Sequence, residues 1–70
     1  TGARGVRTLQ YTYAIRYKDG VITEEHLYDR KTDPFQLNNI AGKHPELVKQ
    51  LRTELKQRME AVHDPALSVL

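Results

Sequence analysis

The chain has 70 residues, enough for one small domain, and its lack of cysteine excludes disulfide bonds, thiol catalysis and cysteine-based zinc sites. Hydrophobic residues make up 39% and charged residues 29% of the sequence, which is typical of a folded domain and too apolar for a disordered chain. Because 11 basic and 9 acidic residues leave a net charge of only +2, the overall charge does not by itself indicate nucleic-acid or anionic-membrane binding.

The N-terminal half predicts antiparallel strands. Residues 1–5 are polar and contain glycine, so we expect them to fray, and Val6–Leu9 is predicted to be a short first strand. Tyrosine and isoleucine alternate with smaller or polar residues across Tyr11–Tyr17, the pattern of a half-buried strand. Asp19-Gly20 then predicts a tight turn, because both positions tolerate positive φ, and His26–Asp29 is predicted to lie in a further strand.

Two registers of the returning strand fit this turn. A two-residue loop sets Tyr13 opposite His26, whereas one more loop residue or a bulge sets Tyr13 opposite Leu27. The choice decides which side chains of the returning strand are buried, because a slip of one residue exchanges the two faces.

The C-terminal half predicts a short connection and one long helix. Asp33-Pro34 suits a turn, and Pro45 with Glu46 suits the first turn of a helix. Apolar residues then recur at three- and four-residue steps and form a single stripe. The stripe consists of Leu47, Val48, Leu51, Leu55, Met59 and Val62. Asp64-Pro65 predicts the end of the helix, and we expect residues 66–70 to be a frayed tail.

These elements predict an α+β fold, a small antiparallel meander of three to four strands with one long amphipathic C-terminal helix packed on one face. We interpret residues 1–70 as one small domain and as a segment of a longer chain, since the sequence starts at Thr1 and shows no signal peptide or membrane-spanning run. The helix covers one face of the sheet only. The opposite face is therefore a candidate interface, through which the isolated segment can self-associate.

Candidate sites built from the charged residues are weak. Three histidines, His26, His44 and His63, fit no metal-ligand spacing and are better explained as surface or capping residues. Adjacent strand residues point to opposite faces, so Glu24 and Glu25 cannot converge as an acid/base pair. Glutamates interrupt the basic residues of the helix, and for that reason we do not expect nucleic-acid binding.

Short motifs follow one another in a fixed order along the chain. Val6-Arg7-Thr8 and Tyr11-Thr12-Tyr13 precede Leu27-Tyr28-Asp29, Asp33-Pro34, Asn39-Ile40-Ala41 and Pro45-Glu46, and a leucine-bearing helix follows. This set, which spans roughly Val6 to Leu55, resembles the C-terminal subdomain of the formylglycine-dependent sulfatases of the alkaline phosphatase superfamily. The chain departs from the usual pattern at four positions, namely Thr12, Arg30, Gln36 and Ile40. Arg30 stands where leucine is common, and we expect it to be exposed or to pair with an acidic neighbour such as Asp33.

The resemblance implies a parent enzyme that hydrolyses sulfate esters, and we expect these to be esters of sulfated carbohydrates. Its nucleophile would be a formylglycine made from the first residue of a Cys- or Ser-x-Pro-x-Arg motif, assisted by calcium. Ser68 is the only serine here and lacks that motif. We therefore assign no catalytic, cofactor-binding or metal-binding residue to this chain. Its expected partner is the N-terminal catalytic domain, with no nucleic acid or membrane, and the resemblance favours a periplasmic or secreted location.

Arg7 and Arg16 are the candidate contacts to the wall of a substrate pocket, because an arginine on a strand can bind a sulfate or carboxylate through two hydrogen bonds. We prefer structural ion pairs with Glu24, Glu25 or Asp29 for them. The alternative function is that of a free-standing α+β interaction domain that binds a protein or nucleic acid.

Overall fold

The computed structural model describes residues 2–70, and Thr1 lies outside the described residues. Three strands come first, β1 (Gly2–Arg7), β2 (Tyr11–Lys18) and β3 (Val21–Asp29). They form one antiparallel sheet in the order β1-β2-β3. A 3-10 turn at Ala41–Lys43, the helix α1 (Pro45–Ala61) and a second 3-10 segment at Pro65–Val69 complete the chain. This arrangement confirms the predicted α+β fold. No helix in the described part of the chain is long and apolar enough to cross a membrane.

The first strand begins earlier than the sequence predicts. Gly2 to Gly5 pair with β2 residues from Tyr17 to Ala14, so the expectation that residues 2–5 fray is wrong. Glycine is a poor strand former, but here the missing Cβ makes room, because a Cβ at Gly2 would collide with the ring of Tyr17. The chain leaves the strand after Arg7, where the Thr8 hydroxyl accepts a hydrogen bond from the Tyr11 N–H at 2.9 Å and forms the turn into β2.

A bulge decides the register between β2 and β3. The turn has two residues, Asp19 and Gly20, with φ values of 54° and 78°. The pairing then shifts between Tyr17, opposite Ile22, and Arg16, opposite Glu24, which leaves one extra residue in β3. Tyr13 consequently lies opposite Leu27, the second of the two registers allowed by the sequence.

The core lies between one face of the sheet and α1. Tyr13, Ile15 and Leu27 have no exposed surface. The helix contributes four buried residues of the predicted stripe, Val48, Leu51, Leu55 and Met59. Val62 does not belong to the buried stripe as predicted, because α1 ends at Ala61 and the Val62 side chain is 71% exposed.

The C-terminal segment packs on the core. Residues 66–70 were expected to fray, but the Asp64 side chain accepts a hydrogen bond from the Ala66 N–H at 2.9 Å and begins a 3-10 segment there. Ala66 is buried, and Leu67, Val69 and Leu70 pack against the core. Apolar burial and the Asp64 cap therefore hold the residues that the sequence pattern assigned to a tail.

The connection from β3 to α1 runs along the free edge of β3. The Asn39 amide oxygen accepts hydrogen bonds from the Leu27 N–H at 3.0 Å and the Ala41 N–H at 3.1 Å, and its amide nitrogen donates to the Glu25 carbonyl at 2.9 Å. The Ile40 N–H donates to the Leu27 carbonyl at 2.8 Å. These bonds satisfy backbone groups that an edge strand otherwise leaves unpaired.

Candidate functional site

Arg7 and Arg16 lie on the sheet face that α1 does not cover, since each is the strand neighbour of a buried core residue, Val6 and Ile15 respectively. They are not brought together. Arg7 is at the end of β1 that leads to the turn with β2, whereas Arg16 lies opposite Ala3, near the start of β1. The two predicted contacts therefore belong to different ends of the sheet.

Arg16 forms the ion pair that the sequence favoured. Its Nε lies 3.7 Å from a carboxylate oxygen of Glu24, and the side chains are 70% and 50% exposed. The same carboxylate lies 3.5 Å from the His26 ring nitrogen Nε2. An ion pair this exposed contributes little to stability. It engages the Arg16 guanidinium on the sheet face that α1 does not cover.

Arg7 lines a cleft at the opposite end of the sheet. The cleft has a volume of about 500 Å³ and forms where the turn between β1 and β2 meets the segment that follows β3. Its lining combines three cationic side chains with one amide and two apolar side chains. These residues are Arg7, Leu9, Gln10, Arg30, Lys31 and Pro34, and we refer to them as the basic cleft.

Arg30 connects the two segments of the basic cleft. A terminal nitrogen of its guanidinium donates to the Thr8 carbonyl at 2.7 Å, and its backbone N–H donates to the Gln10 carbonyl at 2.6 Å. Arg30 is half-buried, and these two bonds fix it against the turn between β1 and β2. Sequence reasoning noted Arg30 only as a departure from the family pattern and suggested Asp33 as its partner, and the structure gives it the Thr8 carbonyl instead.

The acidic residues beside the basic cleft are engaged by the backbone. Asp33 accepts hydrogen bonds from the N–H groups of Leu37 and Asn38 at 3.0 and 2.8 Å. Asp29 accepts from the Lys31 N–H at 2.9 Å and the Thr32 N–H at 3.3 Å. Partial burial raises the pKa of Asp29, but these hydrogen bonds outweigh it and hold the pKa below its ordinary value.

The charge of the basic cleft is not neutralised internally. The ion pairs within residues 2–70 involve Arg4, Arg16, His26, Arg52 and Arg58 as the basic partners. No cation of the basic cleft is among them, so its three positive charges have no carboxylate within ion-pair distance in the described chain. Such a site attracts an anion.

Exposed apolar side chains lie at the same end of the molecule. Leu9 is 103% exposed, and Phe35 and Leu37, which follow Pro34 of the basic cleft, are 81% and 78% exposed. We call these three residues the apolar patch. Large apolar side chains that remain this exposed on adjacent loops indicate a contact surface.

A buried tyrosine joins the sheet to the helix on the other face. The Tyr13 hydroxyl donates to a Glu25 carboxylate oxygen at 2.5 Å, and a terminal nitrogen of Arg52 in α1 donates to the same oxygen. Burial and the hydrogen bond to Glu25 raise the pKa of Tyr13 to about 12. Desolvation raises the pKa of Glu25, but the hydrogen bonds from Tyr13 and Arg52 outweigh it and leave the pKa below its ordinary value. Sequence reasoning did not predict this group. Tyr13 and Glu25 lie on the same face of the sheet because of the register that pairs Tyr13 with Leu27, which the sequence left open.

A charged pair also joins β1 to the start of the C-terminal 3-10 segment. The Arg4 Nε donates to one oxygen of Asp64 at 2.5 Å, and a terminal nitrogen donates to the other at 3.1 Å. The guanidinium carbon also lies 5.7 Å from the centre of the Tyr17 ring. The Arg4 hydrogen bond holds the pKa of Asp64 below its ordinary value, with help from the Ala66 N–H. This pair is structural, like the Tyr13 group.

The residues of this chain do not fit the metal and nucleophile that the sulfatase resemblance implies. Within residues 2–70, no three or more histidine, aspartate or glutamate side chains converge as a metal site. His26 stacks on Tyr28 with ring centres 6.1 Å apart and contacts the Asn39 amide nitrogen at 3.2 Å through Nδ1. Ser68 lies in the C-terminal 3-10 segment without the nucleophile motif.

Comparison with known proteins points to one enzyme family, although no protein-family model matches the chain. The chain is 35% identical over 66 residues to an endo-4-O-sulfatase of Bacteroides thetaiotaomicron, covering 90% of the chain and 13% of that protein. It is 41% identical over 51 residues to arylsulfatase K of Bos taurus, covering 73% of the chain and 9% of the relative.

Two solved structures share the fold. YidJ of Bacteroides fragilis, described as a candidate sulfatase, superposes with a TM-score of 0.95 at 39% identity, over 100% of this chain and 15% of YidJ. A Bacteroides thetaiotaomicron structure, described with the metabolism of multiple glycosaminoglycans, superposes with a TM-score of 0.83 at 30% identity, over 94% of this chain and 14% of that one. The chain thus spans about a seventh or less of each relative.

Proposed function

Because this chain belongs to the sulfatase family, we propose that it is the C-terminal structural subdomain of a longer sulfatase and has no catalytic group of its own. The match to YidJ carries this proposal, since 100% of the chain superposes on only 15% of that protein with a TM-score of 0.95. The remainder of the parent would contain the catalytic domain, with its formylglycine and its calcium ion. A periplasmic or secreted location fits this proposal.

We propose sulfated carbohydrates as the substrates of the parent enzyme. Two relatives support this class, one named as an endo-4-O-sulfatase and the other described with glycosaminoglycan metabolism. An endo-acting enzyme binds several sugar units of a polymer, so surfaces away from the cleaved ester contribute to affinity and orientation.

The subdomain would supply a rigid surface to the catalytic domain. The Tyr13–Glu25–Arg52 group and the Arg4–Asp64 pair tie the sheet to the helical part of the chain. The apolar patch of Leu9, Phe35 and Leu37 lies outside this core and is the surface that we assign to the contact with the catalytic domain.

The coding region upstream of Thr1 tests the proposal. We expect several hundred residues there with a Cys- or Ser-x-Pro-x-Arg motif, whereas an initiator methionine close to Thr1 would favour the free-standing interaction domain. The 70-residue chain and the complete protein should then be assayed with an aryl sulfate. Turnover by the complete protein that disappears when the motif's Cys or Ser is replaced by alanine is expected. Turnover by the 70-residue chain alone would contradict a purely structural role.

A further inference from the structure

We propose that the basic cleft binds an anionic group of an acidic oligosaccharide, either a sulfate half-ester or a uronate carboxylate. The proposal rests on the proposed function for the choice of a saccharide, and on the cleft itself for the choice of an anion. The residues that would bind the anion are Arg7, Arg30 and Lys31, and Pro34 would contact the sugar ring.

The charges of the cleft support an anionic ligand. Arg7, Arg30 and Lys31 line one cavity, and none has a carboxylate within ion-pair distance among the residues that the structure describes. Of the two nearby carboxylates, Asp33 is directed to backbone N–H groups, and Asp29 accepts from the Lys31 N–H and, at 3.4 Å, from the side-chain amide of Gln10 in the cleft lining. Three like charges in one cleft repel each other, and a bound sulfate or carboxylate relieves this repulsion.

The geometry of Arg30 supports a specific site rather than a diffuse positive surface. One terminal nitrogen is held 2.7 Å from the Thr8 carbonyl, so the guanidinium has a fixed position before any ligand binds. Its other N–H groups are available for a planar, two-pronged contact to a sulfate or carboxylate. Because the side chain is already ordered, little conformational entropy is lost on binding.

The size and remaining lining favour a saccharide over a nucleic acid. A volume of about 500 Å³ lies within the range of small-ligand sites and accommodates one or two sugar units. Pro34 offers apolar surface to the C–H groups of a pyranose ring. None of the lining residues is aromatic, and single-stranded nucleic acids are usually held by bases stacked on aromatic side chains.

The location of the cleft also fits a ligand of the whole enzyme. Leu9 belongs to both the basic cleft and the apolar patch, which we assign to the contact with the catalytic domain. The cleft would therefore open at a domain border, where ligand sites occur preferentially. Arg30 gives the cleft its fixed cation.

Binding to the 70-residue chain tests this proposal. The chain is titrated at low ionic strength with a chondroitin 4-sulfate tetrasaccharide, its unsulfated counterpart and sodium sulfate, while amide NMR shifts are followed. We expect the sulfated saccharide to shift the amides of residues 7–10 and 30–34. If the unsulfated saccharide binds as tightly as the sulfated one, the cleft binds the uronate carboxylate. If the unsulfated saccharide binds more weakly, the cleft binds the sulfate half-ester. Sodium sulfate should shift the same amides with lower affinity, and this result would support anion binding by the cleft.

Two double variants separate the cleft from general electrostatics. Arg7→Gln with Lys31→Gln removes two cleft charges, and Lys49→Gln with Lys56→Gln removes two exposed charges from α1. We expect at least about a tenfold loss of affinity, equivalent to about 1.4 kcal/mol, for the cleft variant only. Arg30→Lys keeps the charge but loses the planar fork, so it should also weaken binding.

Four results would overturn the proposal. These are absence of saccharide binding, an equal loss of affinity in the two double variants, NMR shifts that avoid the cleft, and tighter binding of a thymidine oligonucleotide than of the sulfated saccharide. Circular dichroism of each variant checks that the fold is intact. Absence of saccharide binding leaves the aryl sulfatase assay of the complete protein unaffected, so failure of this proposal is distinguishable from failure of the proposed function.

Discussion

Replacing Glu25 with alanine removes the central member of the group that joins the sheet to α1. The Tyr13 hydroxyl would lose its acceptor while its side chain remains fully buried, and Arg52 would lose its partner. A buried hydroxyl without an acceptor costs about 1–3 kcal/mol. The Glu25 and Arg52 side chains are 30% and 41% exposed, so their ion pair adds at most about 1 kcal/mol.

We therefore expect Glu25→Ala to lower the free energy of unfolding by about 2 kcal/mol, mainly through Tyr13. For a domain of this size that corresponds to a fall in Tm of about 8–16 °C. Urea denaturation followed by circular dichroism measures the change. Glu24→Ala is the matched control, because Glu24 makes only exposed contacts, with Arg16 and the His26 ring, and we expect a change below about 0.5 kcal/mol.

A double-mutant cycle tests the assigned cause. If the unsatisfied hydroxyl dominates the loss, adding Tyr13→Phe to Glu25→Ala should recover about 1 kcal/mol. The loss should also depend on pH. The pKa of Glu25 is lowered in the folded state, so its contribution is present above its ordinary pKa of 4.5 and is lost as the pH falls through the folded value. Equal effects of Glu25→Ala and Glu24→Ala, or a further loss on adding Tyr13→Phe, would refute the reasoning.

Three further predictions address separate features. Burial raises the pKa of Tyr13 to about 12, so the phenol that Tyr13→Phe removes from an absorbance titration should ionise near pH 12, and the fold should lose stability as the pH rises from about 10 towards 12. Ionisation of Tyr13 near the ordinary pKa of 10 would contradict this. Asn39→Ala should cost about 1–3 kcal/mol in urea denaturation, because a backbone N–H of β3 loses its acceptor, and an equal loss in the control Asn38→Ala would argue against that cause. Phe35→Ser should leave the stability of the 70-residue chain within about 0.5 kcal/mol but lower the Tm of the complete protein, and unchanged stability of both would remove Phe35 from the proposed domain contact.

The sequence predicted the elements that depend on local signals. Alternation across Tyr11–Tyr17, the turn at Asp19-Gly20 and the helix beginning at Pro45 all appear in the structure. The register of β3 could not be chosen from the sequence, because the bulge opposite Arg16 and Tyr17 has no local signature. The bulge sets the register in which Leu27 is buried in the core. Gly2–Gly5 has little strand propensity of its own and becomes a strand only because β2 offers a partner.

The candidate site was predictable only in part. Reasoning from charge selected Arg7 and Arg16, and the structure assigns the first to a cleft and the second to an exposed ion pair. The cleft itself depends on contacts between residues far apart in the sequence, such as the bond from Arg30 to the Thr8 carbonyl across 22 positions. No motif or periodicity predicts such a contact. The sequence drew attention to Arg30 only as a departure from the pattern that the resemblance implies.

The residues that stabilise this fold are distinct from those of the proposed binding surface. The core residues and both charged groups belong to β1–β3, α1 and the C-terminal segment. These contacts join residues as far apart in the sequence as Arg4 and Asp64. Leu9, Phe35 and Lys31, by contrast, are exposed and belong to the turn after β1 and the segment after β3. Because these three side chains contribute little to the buried core, they can change without unfolding the domain. A surface of this kind can diverge between relatives while the supporting fold stays the same, so substitutions at Leu9, Lys31 and Phe35 should alter binding more than stability.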